Sequence, residues 1–284
     1  MKKSSIRLFL KKNYIGYLFM APFLVLFTIF TIVPVITAIV MSLSYFNMLE
    51  WPVFTGLDNY KLLIMDDDIF TLALRNTFLF SIIIGPLGFC ASFFFAWVIN
   101  SLRMRNLYAL AFYTPSIVSG ISMSVVWLYF FSNDRYGLIN NILMNLGIVY
   151  EPVLWTIDAR TILPVVATIS AWMSMGTGFL VFLAGFQNIP AQMLEAGRVD
   201  GIKSNLQELF LIIIPLMKPQ LLFNAITTIV ASFAVFDIAV SVAGMPSPNY
   251  AAHTIVAHLY DYAFIRFQMG YASAIAVILF LITF

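Results

Sequence analysis

Six long apolar runs, separated by short polar stretches, constrain this chain more than any other feature of its sequence. They lie near 14–43, 71–101, 107–131, 161–186, 210–241 and 269–284, each rich in Leu, Ile, Val, Phe and Ala without strict alternation. About 20 apolar residues cross a hydrocarbon core of roughly 30 Å. A spanning segment must satisfy its own backbone hydrogen bonds, which makes such runs helices, whereas barrel strands would alternate over about 10 residues. Composition agrees: 62% of the 284 residues are hydrophobic, 10% are charged, and mean hydropathy is +0.95, against roughly 25% charged in a soluble domain. A chain this poor in charge cannot clothe a surface in water. The expected fold is all-α, a polytopic transmembrane bundle of about six spans.

The distribution of charge orients the bundle. With the amino terminus inside, the inner segments hold ten of the cations: Lys2, Lys3, Arg7, Lys11, Lys12, Arg103, Arg105, Arg198, Lys203 and Lys218. Five fall outside: Lys61, Arg75, Arg135, Arg160 and Arg266. Excess Lys and Arg marks the cytoplasmic side, so the amino terminus is expected in the cytoplasm. The first apolar run is too long for a signal peptide's core of roughly 7–15 residues and reads as a retained span. The last run stops at Phe284, about 16 residues in and therefore about 24 Å long, which suggests either a clipped carboxyl end or a short last helix that enters at a tilt. The net charge of +2 does not point to nucleic acid. Cys90 stands alone and is expected to be a packed thiol.

One polar stretch is richer than the rest. Residues 187–209, between the fourth and fifth runs, are far longer than the other inner loop, SLRMRN. Pro190 suits a helix start, Gln192 to Arg198 form a short helix, and Gly201 offers a stop. An amphipathic segment from Lys203 to Phe210 then leads into the next span. The result is a helix–turn–helix elbow able to engage a soluble partner.

Here the residues resemble a known pattern. Glu195-Ala196-Gly197, Asp200-Gly201 and Ile212-x-Ile214-Pro215 are similar to the EAA loop of ABC importer permeases. The sugar-importing branch, like the maltose and glycerol-phosphate permeases, is resembled over nearly the whole chain. The matching segments are Phe186 to Pro190, Gly56-Leu57-Asp58-Asn59-Tyr60, Asn76-Thr77, Pro115 with Trp127, Gly137 to Asn140, Ala263-Phe264 and Gly270 to Ala274. The resemblance implies a type I importer architecture, with residues 1–284 as a single transmembrane permease domain. In that reading Glu195, Ala196, Gly197, Arg198, Asp200 and Gly201 form the coupling loop, with Glu195 stabilising the elbow and Gly201 permitting its tight turn. Implied partners are a second permease subunit, two cytoplasmic ATPase subunits carrying ATP and Mg, and an extracellular or periplasmic solute-binding protein, all at a bacterial or archaeal plasma membrane. The sequence departs from the pattern in three places. Gly197 replaces an alanine, ten residues rather than nine separate Gly201 from Ile212, and AGMPSPNY stands where many relatives have a glycine-glycine-proline element.

Candidate path residues are fewer. Asp237 lies within the fifth run, and a charge at mid-membrane costs about 2.5–3.5 kcal/mol on insertion scales, so such a residue usually faces a cavity or a partner. A structural hydrogen bond within the bundle is the competing role. Phe236, Trp127 and Tyr113 are candidate stacking partners for sugar rings, although packing explains aromatic residues in so aromatic a chain. Asp66-Asp67-Asp68 reads as a solvated loop, and His253 and His258 as loop residues rather than metal ligands, with no third ligand at suitable spacing. No GxxxxGK[ST] loop, GxSxG or HExxH occurs, so no catalytic residue or resident cofactor is assigned and any ATP chemistry belongs to another chain. The competing class is a secondary carrier driven by an ion gradient, which would show more intramembrane acids than Asp237.

Overall fold

The computed structural model describes the backbone from Lys2 to Phe284 and side chains from Tyr14 onward; the early cations from Lys2 to Lys12 lie outside those described side chains. Helix α1, Lys2–Phe27, passes through a π turn, Thr28–Ile32, into α2, Val33–Ser42. Two short strands follow, β1 Ser44–Tyr45 and β2 Val53–Phe54, paired antiparallel with Ser44 opposite Phe54. Then come α3 Asp58–Met65, α4 Asp68–Asn100, α5 Arg105–Ile117, α6 Gly120–Phe130, α7 Leu138–Asn145 and α8 Ile162–Gln187. The elbow region holds α9 Ala191–Val199, α10 Asn205–Glu208, a π turn Leu209–Ile213 and α11 Ile214–Leu216. The chain continues with α12 Lys218–Phe233, α13 Asp237–Ala243, α14 Ile255–Tyr260 running into a π turn Asp261–Ile265, and α15 Met269–Thr283.

The expectation of helical apolar runs holds, but two of the runs are broken. Between α5 and α6 the direction changes by 102°, and between the segment Asn205–Leu216 and α12 by 79°. Local chemistry explains both. Val118 is extended, and Ser119 opens α6 by accepting the Ser122 N–H on its hydroxyl at 3.3 Å, the usual role of an N-cap serine. Pro215 and Pro219 each stand at the first or second position of a helix, where a missing N–H costs nothing, and Met217 between them turns the chain. The runs that remain unbroken and long are Tyr14–Ser42, α4 and α8. The sixth run is the 15-residue α15, about 22 Å long. The short helix α14, preceding it, was not legible as an apolar run.

By contacts the chain divides into two compact units, one of residues 67–258 and one of residues 1–66 with 259–282. In the larger unit α4 and α8 lie side by side, α12 packs on both, α5 on α8, and α13 on α6. Lipid is as apolar as leucine, so helices associate where small residues allow close approach and polar groups meet. That is the pattern here. A Cβ on Gly88 of α4 would strike the Ser174 hydroxyl of α8, and one on Gly178 of α8 would sit 2.9 Å from the amide of Asn224 on α12. Asn224 donates to the Gly178 carbonyl at 3.3 Å, and Ser92 to that of Met175 at 3.3 Å. Aromatic rings fill the layer beside them, with Phe89 and Phe93 edge-on to Phe182 at 5.3 and 5.2 Å.

The family-like segments prove to be clasps. Asn140, fully buried, donates to the carbonyls of Ser132, Asp134 and Val153 and accepts from Val153 N–H and the Trp155 indole. Asn76 donates to the carbonyls of Tyr250 and His253 at 2.9 and 3.0 Å, while Thr77 accepts the Ile255 N–H at 2.9 Å. In the smaller unit Asn59 donates to the carbonyls of Ser42 and Ser44, both at 2.9 Å, and Tyr60 to the Ser42 hydroxyl at 2.7 Å. Gly270 there abuts the Ser44 carbonyl, which a side chain would strike.

Three expectations are corrected. His253 keeps its place in the loop before α14, whereas His258 lies inside α14 rather than in a loop, and both are buried, at 3% and 1% exposure. Asp67 is not a merely solvated acid. Its carboxylate caps α4 through the Phe70 N–H at 2.8 Å and meets His258 Nε2 at 3.0 Å, while His258 Nδ1 lies 3.3 Å from His253 Nε2. Burial drives this arrangement, because an imidazole removed from water needs partners on its nitrogens. Cys90, expected to be packed, is exposed on α4.

Candidate functional site

Two features of the larger unit stand out as candidate sites, the elbow and a cavity at the helix breaks. In the elbow, α9 ends in a complete Schellman arrangement. Ile202 N–H reaches the Gly197 carbonyl at 3.0 Å and Gly201 N–H the Arg198 carbonyl at 3.2 Å, with Gly201 at φ +97°. A side chain there would be strained, which is why the turn needs glycine. The next helix is capped in turn, since Ser204 accepts the Gln207 N–H at 3.2 Å and Gln207 accepts the Lys203 N–H at 3.0 Å, a variant of the capping box. Arg198 bridges the two arms to Glu208 at 3.4 Å. Glu195, Ala196, Arg198, Val199 and Asp200 are exposed, and Gly197 is buried.

The sequence reading therefore places the elbow well: the helix expected over Gln192 to Arg198 spans Ala191–Val199, and Gly201 makes the turn. Glu195 differs from expectation. It forms no hydrogen bond or ion pair with the described residues of its own chain, and the ion pair bracing the elbow is Arg198–Glu208. The Glu195 carboxylate is exposed on α9.

The cavity lies where the broken helices meet. It measures about 660 Å³ and is lined by Ser116 to Gly120 at the α5–α6 break, by Ser170, Met173 and Ser174 of α8, and by Ala234 to Ile238 at the α12–α13 break. The two breaks touch: a Cβ on Gly120 would lie 3.2 Å from that of Asp237. Asp237, expected inside a continuous span, instead opens α13 in the first turn, where a carboxylate suits the helix dipole, and is exposed to the cavity. Thr254 ties this break down by donating to the Val235 carbonyl at 3.0 Å.

Of the four candidate path residues, Asp237 and Phe236 line the cavity and Trp127 and Tyr113 do not. Trp127 packs instead among Phe130, Phe131 and Trp172, at 5.5, 6.0 and 6.4 Å. Tyr113 stays in α5, where its carbonyl accepts the Ser116 hydroxyl. Sequence reasoning missed the serines. Ser170 is 5% exposed, and its hydroxyl finds no partner among the described residues. The signal available was spacing on α8, where Ser170 and Ser174 stand four apart on one helical face; Ser116 and Ser119 flank the α5–α6 break and share no face. The lining carries one carboxylate, four hydroxyls and no cation. Such a wall accepts and donates hydrogen bonds and disfavours anions.

Comparison with known proteins follows the same line. Residues 84–284 match the family described as binding-protein-dependent transport system inner membrane component. The chain is 34% identical to the probable ABC transporter permease protein YesP of Bacillus subtilis, over 99% of this chain and 90% of that one. It is 30% identical to the arabinooligosaccharides transport system permease protein AraP of the same organism, over 97% and 87%. It is 29% identical to the lactose transport system permease protein LacF of Rhizobium radiobacter, over 97% and 91%. A chain of a bacterial ABC transporter involved in the import of the acidic polysaccharide alginate shares the fold with a TM-score of 0.83 at 20% identity, over 98% of this chain and 94% of that one. With a predominantly helical body and a family model matched over residues 84–284, the chain belongs to the inner membrane components of binding-protein-dependent transport systems, as a permease subunit of an ABC importer.

Proposed function

We propose that this permease carries a carbohydrate or related solute through a path lined by the cavity, and that its elbow takes up motion from cytoplasmic ATPases. The observation that carries the reading is the elbow: a doubly capped helix–turn–helix, joined to the ends of two spans, whose exposed Glu195 carboxylate makes no hydrogen bond or ion pair among the described residues. Glu195, Ala196, Arg198 and Asp200 supply the exposed face, Gly197 the packed side of α9, and Gly201 the turn. A module this rigid transmits a push to α8 and α12 rather than absorbing it. ATP and Mg then belong to two partner ATPases, with a second permease subunit completing the path and the amino terminus in the cytoplasm of a bacterial or archaeal cell.

The solute class rests on the cavity wall and on the relatives. Hydroxyls with one carboxylate beside the apolar faces of Phe236 and Met173 suit a polyhydroxylated ring. Two relatives are described as permeases for arabinooligosaccharides and lactose. A related transporter has been solved in complex with a pentasaccharide-bound periplasmic protein, which supports a solute-binding protein as partner.

The test is affinity purification of the tagged chain from its native host in mild detergent. Recovery of an ATPase and a second permease, lost when Glu195 and Gly201 are replaced, supports the reading. Recovery of the chain alone, with uptake surviving ATP depletion but not collapse of the proton gradient, overturns it in favour of an ion-driven carrier.

A further inference from the structure

We infer that Gly197 and the π turn Leu209–Ile213 form one device that fixes the angle of the elbow against the span that follows; the inference rests on the elbow being the ATPase contact. A π turn holds one more residue than the α-helical turn it replaces and is frequent at functional sites. Here Ile214 N–H reaches back five residues to the Leu209 carbonyl. The wide turn keeps Leu209 and Ile213 on one face, buried at 6% and 7% in the layer with Phe182, Phe186 and Met217. It turns Ile212 out of that face and toward α9. There the Ile212 Cδ1 methyl occupies the place where a Cβ on Gly197 would stand, and the Ile202 Cδ1 methyl lies 3.1 Å from the same point.

Two sequence departures thereby acquire a single cause. The extra residue between Gly201 and Ile212 is accommodated in the π turn, and the glycine at 197 leaves the room that the displaced Ile212 requires. Gly197 is also the residue whose carbonyl closes the Schellman turn through Ile202. One small residue therefore sets both the end of α9 and its distance from the base of the next span. Gly197 and Ile212 are positioning residues, acting on ATP turnover through the exposed arm of α9. A helix advances about 100° per residue, so losing the extra residue would turn the elbow by a large angle relative to α12.

The experiment uses the complete transporter with its ATPases and second permease in lipid nanodiscs, with Mg·ATP as the probe. For Gly197→Ala the complex assembles, kcat for ATP hydrolysis falls about tenfold through overpacking against Ile212, and KM for ATP is unchanged. Ile212→Val, which deletes the Cδ1 methyl, is near wild type alone and restores turnover in the Gly197→Ala background. Deletion of Leu211, whose side chain is 65% exposed, leaves the ATPase bound and removes turnover. Wild-type turnover for Gly197→Ala or for the deletion overturns the inference, as does a double variant no better than Gly197→Ala. If the wild-type chain retains no ATPase, the elbow reading itself fails and the inference falls with it. A purely structural defect is distinguished by loss of assembly that Ile212→Val does not repair.

Discussion

The first span and α8 are both apolar enough to cross a bilayer, yet they relate to the rest of the protein in opposite ways. The Tyr14–Ser42 segment has the higher mean hydropathy, 2.7, and none of its window is buried; α8 has 1.6, and half of its window is buried. Greater apolarity does not bring greater burial because lipid competes for apolar surface on equal terms. The buried helix contains Gly176, Gly178 and Gly185 with Ser170 and Ser174, whereas the uncovered one presents Phe19, Phe23 and Phe30 at 82%, 66% and 73% exposure. Burial inside the bundle follows smallness and hydrogen bonding, not hydropathy.

The comparison breaks most forcibly at Gly178. Gly178→Val places a branched side chain against the Asn224 amide, and overpacking of this kind costs about 1–3 kcal/mol. The folded fraction surviving heating in detergent, read by size-exclusion chromatography, is expected to drop severalfold. A wild-type melting curve would mean that α8 and α12 are not held at this distance.

A smaller effect is expected where α8 faces the cavity. Ser170→Ala removes a buried hydroxyl that has no partner, so stability should be unchanged or rise by about 1 kcal/mol while solute uptake falls. Asp237→Asn at equal expression is expected to reduce uptake in the same assay. Wild-type uptake in both variants would detach the cavity from the path. The smallest effect belongs to the first span: Phe19→Leu should change the stability of the isolated chain by less than about 0.5 kcal/mol. If the assembled transporter loses stability with the same substitution, the face carrying Phe19 is covered by protein rather than lipid.

How much was legible varied with how local each feature was. The elbow was readable because proline, glycine and the capping residues act over a few positions. Its helix and turn lie within a residue or two of the expected places. The breaks at Ser119 and Met217 were readable in part: Pro115 stands near the first and Pro215 and Pro219 flank the second, marking places where a helix can kink, but the apolar pattern continues through both and hydropathy does not register how far the direction changes. His258 could not be assigned because its partner Asp67 is 191 residues away. The cavity was half legible: the carboxylate of Asp237 stands out in an apolar run, while Ser170 looks like any small residue until its surroundings are known.

By itself the sequence determined the solvent and the secondary structure of this protein. Transfer into lipid is a sum over a window of neighbours, and a backbone in lipid must satisfy itself. Only the tertiary structure decided which helices are covered, where two of the runs bend, and why residue 197 is glycine. Those depend on the fit between segments far apart in the chain, where a single methyl of Ile212 stands in the space a side chain at Gly197 would need.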